Sequence, residues 1–223
     1  KFIEYQNYDN ITAEDISYKT AKLYIGGHHN SKKKDNLLFK GSMSNIQIFD
    51  KILTENHVEI LYEHKNTTPK PILNYKINYE LTEDIIRGRI QDVANNNHGK
   101  LMNSFTQTSN NISENSIYIG DALKFNSKKK NYIELDGSDF KKFDHGFTFA
   151  GWIKWNSFTY WSRIFDIAFG RDNNNIILAN FQNQPKLCFD IRKNSERSER
   201  IYLNEIKKGE WMHIAVTLDY ETK

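Results

Sequence analysis

The 223-residue chain has a single cysteine, Cys188, so an internal disulfide is excluded and the redox compartment cannot be read. No apolar run approaches the ~18 residues that would span a bilayer. Charge of one sign is not in excess either: 31 basic residues face 28 acidic ones, for a net +3. That balance argues against a dedicated nucleic-acid binder. The first residue is Lys1 rather than Met, and no signal-peptide pattern is read at the start of the sequence; the expectation is a trimmed chain or an excerpt of a longer one. Proline is scarce, three in all, and two of them, Pro69 and Pro71, fall in one short polar stretch.

What is abundant is sheet-forming material. The chain is 38% hydrophobic and 13% aromatic, with 12 Tyr and 14 Phe, enough for a large β core. The stretch FTFAGWIKW (147–155) alternates Phe147, Phe149, Gly151, Ile153 and Trp155 against Thr148, Ala150, Trp152 and Lys154. Both faces are largely apolar, which predicts a central strand covered on both sides. WMHIAVTLD (211–219) has the same character and is expected beside or opposite it. Further strands are read in KFIEYQN (1–7), LYIGG (23–27), FKGSMSNIQIFD (39–50) and around Leu73, Tyr75, Ile77 and Tyr79. ALKFN (122–126) and NYIELD (131–136) suggest a hairpin. RIFDIAFG (163–170), NIILANF (175–181), KLCFDIR (186–192) and RIYLN (200–204) follow, separated by polar turns. Thr54 is placed to cap a short helix over 55–62. The polar stretch 63–71 reads as a linker. The whole reads as all-β: a two-sheet antiparallel sandwich with one short helix.

The series ALKFN, NYIELD, FTFAGWIKW, RIFDIAFG, NIILANF, LCFDIR and WMHIAVTLD resembles the laminin G-like, concanavalin A-like jelly-roll superfamily of lectins and glucanases. LYIGG followed by KGSMSNIQIFDKILTENHVEILY is similar to that family's closing section. The resemblance implies a jelly roll and is unspecific for function, because this fold hosts lectins, adhesion modules and glycanases. The order is circularly permuted. Residues 1–62 are similar to the C-terminal third of such a domain, and 72–223 to its N-terminal two thirds. Residues 1–62 cannot bury their own apolar face, and 72–223 would expose the strand edge where Phe2 to Gln6 should pair, so the two are expected to close together as one sandwich, with Phe2 to Gln6 pairing beside Thr217 to Tyr220. An excerpt from a tandem array of such domains and a true circular permutant both fit.

Glycanases of this fold resemble one another in carboxylates at alternate positions of one strand, where one protonates and another attacks. Here Glu134 and Asp136 alternate, but Ser138 stands where a further Glu would be needed. The expectation is therefore no enzyme. Calcium is the one cofactor the loops suggest. Asp172 and Asn173 in GRDNNN, and Asp92 with Asn95, Asn96 and Asn97, offer the oxygen ligands a hard cation takes; the same residue types also form turns unaided. Where relatives carry acidic residues after the glycine matching Gly41, this chain has Ser44 and Asn45. His28 and His29 read as surface loop residues rather than a zinc site, and Cys188 as a buried, inert thiol. Basic clusters at Lys32 to Lys34, Lys128 to Lys130 and Arg192 to Arg200 read as solvated loop tips or as a rim for acidic glycans.

Tyr160 and Trp161 follow the central strand as an aromatic pair suited to stacking on a sugar ring, or to packing at the sandwich rim. With Arg163 they are the candidate ligand-binding residues. The functional expectation is a non-catalytic recognition module, binding glycan or protein, in a surface, secreted or viral-particle protein alongside neighbouring laminin G-like domains. The alternative is a purely structural spacer or assembly domain.

Overall fold

A computed structural model describes residues 21–28, 37–63, 71, 73–75, 88–95, 97–103, 122–136, 146–168, 174–192 and 198–219. The described strands form two antiparallel sheets packed as a jelly-roll sandwich. The strands are β1 (Lys22–Ile25), β2 (Gly41–Phe49), β3 (Leu73–Tyr75), β4 (Arg89–Ile90), β5 (Gly99–Met102), β6 (Leu123–Phe125), β7 (Tyr132–Asp136) and β8 (Phe147–Trp155). They continue with β9 (Arg163–Ala168), β10 (Asn175–Asn180), β11 (Lys186–Arg192), β12 (Ser198–Asn204) and β13 (Met212–Leu218). The larger sheet runs β12-β11-β10-β9-β1-β7-β5-β4. The smaller runs β13-β8-β2-β3, with β6 also paired to β2.

The alternation of apolar residues sets which side chains enter the space between the sheets. Leu23, Ile25, Ile133, Leu135, Phe165, Ile167, Ile176, Leu178, Phe189 and Ile191 come from the larger sheet. Met43, Phe147, Phe149, Ile153 and Trp155 come from the smaller, and all belong to one core cluster. Phe149 and Phe165 meet across the sheets with ring centroids 4.7 Å apart. β8 is central, as its two apolar faces imply, and pairs with β13 on one side and β2 on the other.

Close approach dictates one glycine. A Cβ on Gly41 would lie 2.0 Å from the Lys154 carbonyl and 2.7 Å from the Phe39 ring, so only hydrogen fits where β2 crosses β8. Further along the same pair the register shifts between Ser44 and Gln47. Asn45 adopts φ 48° there, the mark of a β-bulge.

The helix α1 (Glu55–Tyr62) starts at Thr54, whose hydroxyl accepts from the His57 amide while His57 Nδ1 accepts from the Thr54 amide. This is a reciprocal cap built on histidine rather than glutamate. Val58 and Leu61 lay the helix over Phe49, Ala150 and Ala215 on the outer face of the smaller sheet. Tyr62 then stacks on Trp152, with ring centroids 5.4 Å apart.

Several expectations need correction or extension. The segments around Leu123 and Tyr132 are not a hairpin. β6 joins the smaller sheet through β2, while β7 joins the larger through β1 and β5. The 3-10 turn Ser127–Lys129, closed by Lys130 at φ 55°, carries the chain from one layer to the other. β4 and β5 flank the polar loop 91–98 and went unread. His28 is not a surface residue but is 3% exposed. The strand read at 1–7, with its pairing to 217–220, lies outside the described residues, as does His29.

Candidate functional site

The outer face of the larger sheet is polar yet largely buried, and strand register lines its side chains into a row crossing all eight strands. From one edge the row reads Arg200, Asp190, Ile177, Asp166, Tyr24, Glu134, Lys100 and Arg89. Neighbouring strands lie about 4.8 Å apart. The three carboxylates therefore recur at every second strand, roughly 10 Å apart along the row, with cations at both ends.

Each of these acids faces a basic group. Glu134 Oε1 accepts from Lys22 Nζ at 2.6 Å. Asp190 Oδ2 is 3.0 Å from Arg192 Nε and 3.2 Å from Arg200 Nε. Asp166 Oδ1 accepts from Asn175 Nδ2 at 3.1 Å, and its Oδ2 lies 3.7 Å from Arg163 Nε. Burial outweighs the attraction of Asp166 and Asp190 on Arg163 and lowers its pKa from the ordinary arginine value; it is still a cation at neutral pH. For Arg200 burial acts downward, but Asp190 and Tyr202 outweigh it and the net shift is upward. Tyr24 and Tyr132 are both pushed upward, first by burial and then by Glu134.

Arg163 reaches this face because of a bulge. Opposite β10 the register shifts between Leu178, which faces Phe165, and Ala179, which faces Arg163. Ile164 is the extra residue, so Arg163 joins Asp166 rather than Phe165 and Ile167.

The turn before β9 carries the candidate aromatics. Tyr160 is 47% exposed. Trp161 is half-buried and sits at φ 50°, a conformation uncommon for a bulky residue. Its amide donates to the Gln182 carbonyl at 2.9 Å. Asn180, fully buried, donates Nδ2 to the Thr159 and Gln182 carbonyls and accepts from the Ser162 amide and hydroxyl. Thr159 Oγ1 donates to the Leu38 carbonyl and the Arg163 amide to the Leu37 carbonyl, so the segment before β2 also holds the turn. The Trp161 ring meets Phe181 edge-on at 5.1 Å, and Phe181 meets Tyr202 likewise at 5.1 Å. The guanidinium carbons of Arg200 and Arg163 lie 5.4 and 5.8 Å from the Trp161 ring centre. Lys186 Nζ lies 4.4 Å from the Tyr202 ring centre.

Tyr160, Trp161 and Arg163 thus share one corner of the larger sheet with Phe181, Lys186, Asp190, Arg200 and Tyr202. Arg163 Nε and Nη1 and Asp190 Oδ1 are buried without a hydrogen bond to protein, as is Asn175 Oδ1 at the opposite end of β10. Cys188 is also here, buried, with its thiol pushed up to about 12 by burial and then by Asp190.

Asp92 lies elsewhere, in the loop between β4 and β5. Its carboxylate accepts from the Ala94 and Asn95 amides at 2.9 and 3.2 Å, which makes it a turn cap. Asp172 and Asn173 lie outside the described residues. Among the described residues no cluster of three or more His, Cys, Asp or Glu is arranged to hold a metal, and no helix is long and apolar enough to cross a membrane.

Comparison with known proteins gives one family. No curated protein and no solved structure matches the chain. Residues 126–223 match the laminin G model of the concanavalin A-like lectin/glucanases superfamily. The match takes in β7 through β13, the strands that carry the corner around Trp161; β1 is inserted between two of them in the larger sheet, and β2 borders β8 in the smaller. Residues 126–223 are thus similar to the laminin G-like, concanavalin A-like superfamily, and the two-sheet sandwich of the described strands is consistent with that likeness.

Proposed function

We propose that this is a non-catalytic recognition module that binds a glycan through the corner formed by Tyr160, Trp161, Arg163, Asp190 and Arg200. The observation that carries the reading is the Trp161 turn. An aromatic is held at positive φ by a buried asparagine, beside an exposed tyrosine and the guanidinium groups of Arg163 and Arg200. Backbone strain of this kind gathers at ligand-binding positions. Arg200, its side chain 31% exposed, and Lys186 offer donors at the same corner, sugar hydroxyls accept as well as donate, and the aromatics offer apolar faces to the ring.

The reading is non-catalytic because the outer-face carboxylates each face a cation. It places the module in a surface, secreted or viral-particle protein beside further domains of its kind, with residues 1–62 and 72–223 derived from the last and first parts of that unit. Calcium at Asp172 and Asn173 belongs to the same proposal; calorimetric titration with calcium chloride would show saturable heat if it holds.

The deciding experiment is glycan-array binding by the wild-type chain and by Trp161→Ala and Tyr160→Ala, with melting curves alongside. Selective binding that both substitutions abolish, with the fold retained, is the expected result. No glycan binding by the wild type would reject the reading in favour of a protein ligand or a structural spacer. Release of sugar from β-glucans would reject its non-catalytic part.

A further inference from the structure

The segment 21–63 supplies interior strands to both sheets. β1 lies between β7 and β9, paired to each over four residues. β2 lies between β8 and β3 and also carries β6. Without this segment the larger sheet would split into β12-β11-β10-β9 and β7-β5-β4, and the smaller would lose the strand that holds its parts together. Its apolar residues Leu23, Ile25, Phe39, Met43, Ile46 and Ile48 sit in the shared core, so it has no core of its own. Its covalent tie to β3 is the nine residues 64–72, which include Pro69 and Pro71 and can span up to about 30 Å when extended.

We infer that segment 21–63 is exchangeable between two copies of this chain, each completing the other's sandwich with the same strand pairs. The partner is a second copy because the two ladders flanking β1 and the bulged register of β2 against β8 are specific to this segment. An exchanged pair reproduces every one of those contacts, so little beyond association entropy opposes it. The exchange reaches the candidate site, since the carbonyls of Leu37 and Leu38 that anchor the Trp161 turn would then come from the partner copy.

The test uses the full chain with Cys188→Ala. Lys22 and Asp136 are exposed and directly opposite across β1 and β7, within reach of a disulfide. A long-tagged Lys22→Cys chain and a short-tagged Asp136→Cys chain are unfolded together, refolded at high concentration and oxidised. A disulfide joining the two tags, absent when Glu210→Cys replaces Asp136→Cys, is the expected result. No joined product, or as much from the Glu210→Cys control, would overturn the inference. The wild-type chain gives a second reading by light scattering after refolding at graded concentrations. Exchange requires a dimer fraction that rises with concentration, and a monomer alone at every concentration would refute it.

Discussion

The thiol of Cys188 stands on the outer face of β11, opposite Ala179 and Tyr202 on the neighbouring strands. Its pKa rises from an ordinary 9.0 to about 12, so the fold favours the protonated thiol. The sign follows from proton linkage. The contribution is fully present below pH 9, where both states are protonated, and is lost as pH rises from 9 toward 12, where only the unfolded state ionises. Tyr24 and Tyr132 add to the same alkaline loss, being raised as well. We predict that urea titrations from pH 8 to 11 show falling stability, and that Cys188→Ala makes the fall shallower. An equal slope in both proteins would show that the thiol does not ionise on unfolding in that range. The native thiol should also resist iodoacetamide at pH 8 and react once the chain is unfolded.

Arg163 shows at the same scale what a sequence conceals. In RIFDIAFG strict alternation puts Arg163 on the face of Phe165 and Ile167. The residue reaches the outer face only because Ile164 is an extra residue opposite β10. Nothing in the letters marks that bulge. Trp161 was legible as an aromatic near a strand start, but its positive φ depends on Asn180, which is distant in sequence and looks like the end of an ordinary apolar strand. Asp190 had a usable signal. A carboxylate inside the apolar run KLCFDIR has to be buried and paired, and period 2 already sets it on the face of Lys186, Cys188 and Arg192. Its pairing with Arg200 needs the register of β11 with β12.

Among the elements, α1 and β2 are the most readily tested. Thr54→Ala removes the side-chain acceptor for the His57 amide and should cost about 1 kcal/mol, measured by urea denaturation. Gly41→Ala forces a methyl against the Lys154 carbonyl and should cost about 3 kcal/mol, at the upper end for overpacking. A loss below that of Thr54→Ala would mean that β2 and β8 can part without penalty there. The elements were the most legible level of the molecule. The central strand, its neighbour β13 and the capped helix were readable from alternation and a single Thr. The supposed hairpin of β6 and β7 was misread because spacing reports that two strands are consecutive, not that they share a sheet. β4 and β5 were missed because strands of two and four residues are too short for alternation to register.

For the whole molecule, the pairing of β1 with β7 and β9 joins the described strands on either side of residues 64–72 in one sandwich. Cleavage at a protease site introduced between Pro69 and Pro71 should leave the two pieces associated on size exclusion, separating only in denaturant. Pieces that separate in native buffer would show that the covalent tie, rather than the paired strands, holds them together.

The distance along the chain between those paired strands also matters during synthesis. Lys22 and its partner Glu134 are 112 residues apart. At translation rates of about 5–20 residues per second, β1 leaves the ribosome roughly 6 to 22 s before β7 does. For that interval Leu23, Ile25, Phe39 and Met43 have no sheet to enter. Nascent copies on one polysome would carry the same waiting strands side by side, so crowding on the message bears on whether each sandwich is completed by its own chain.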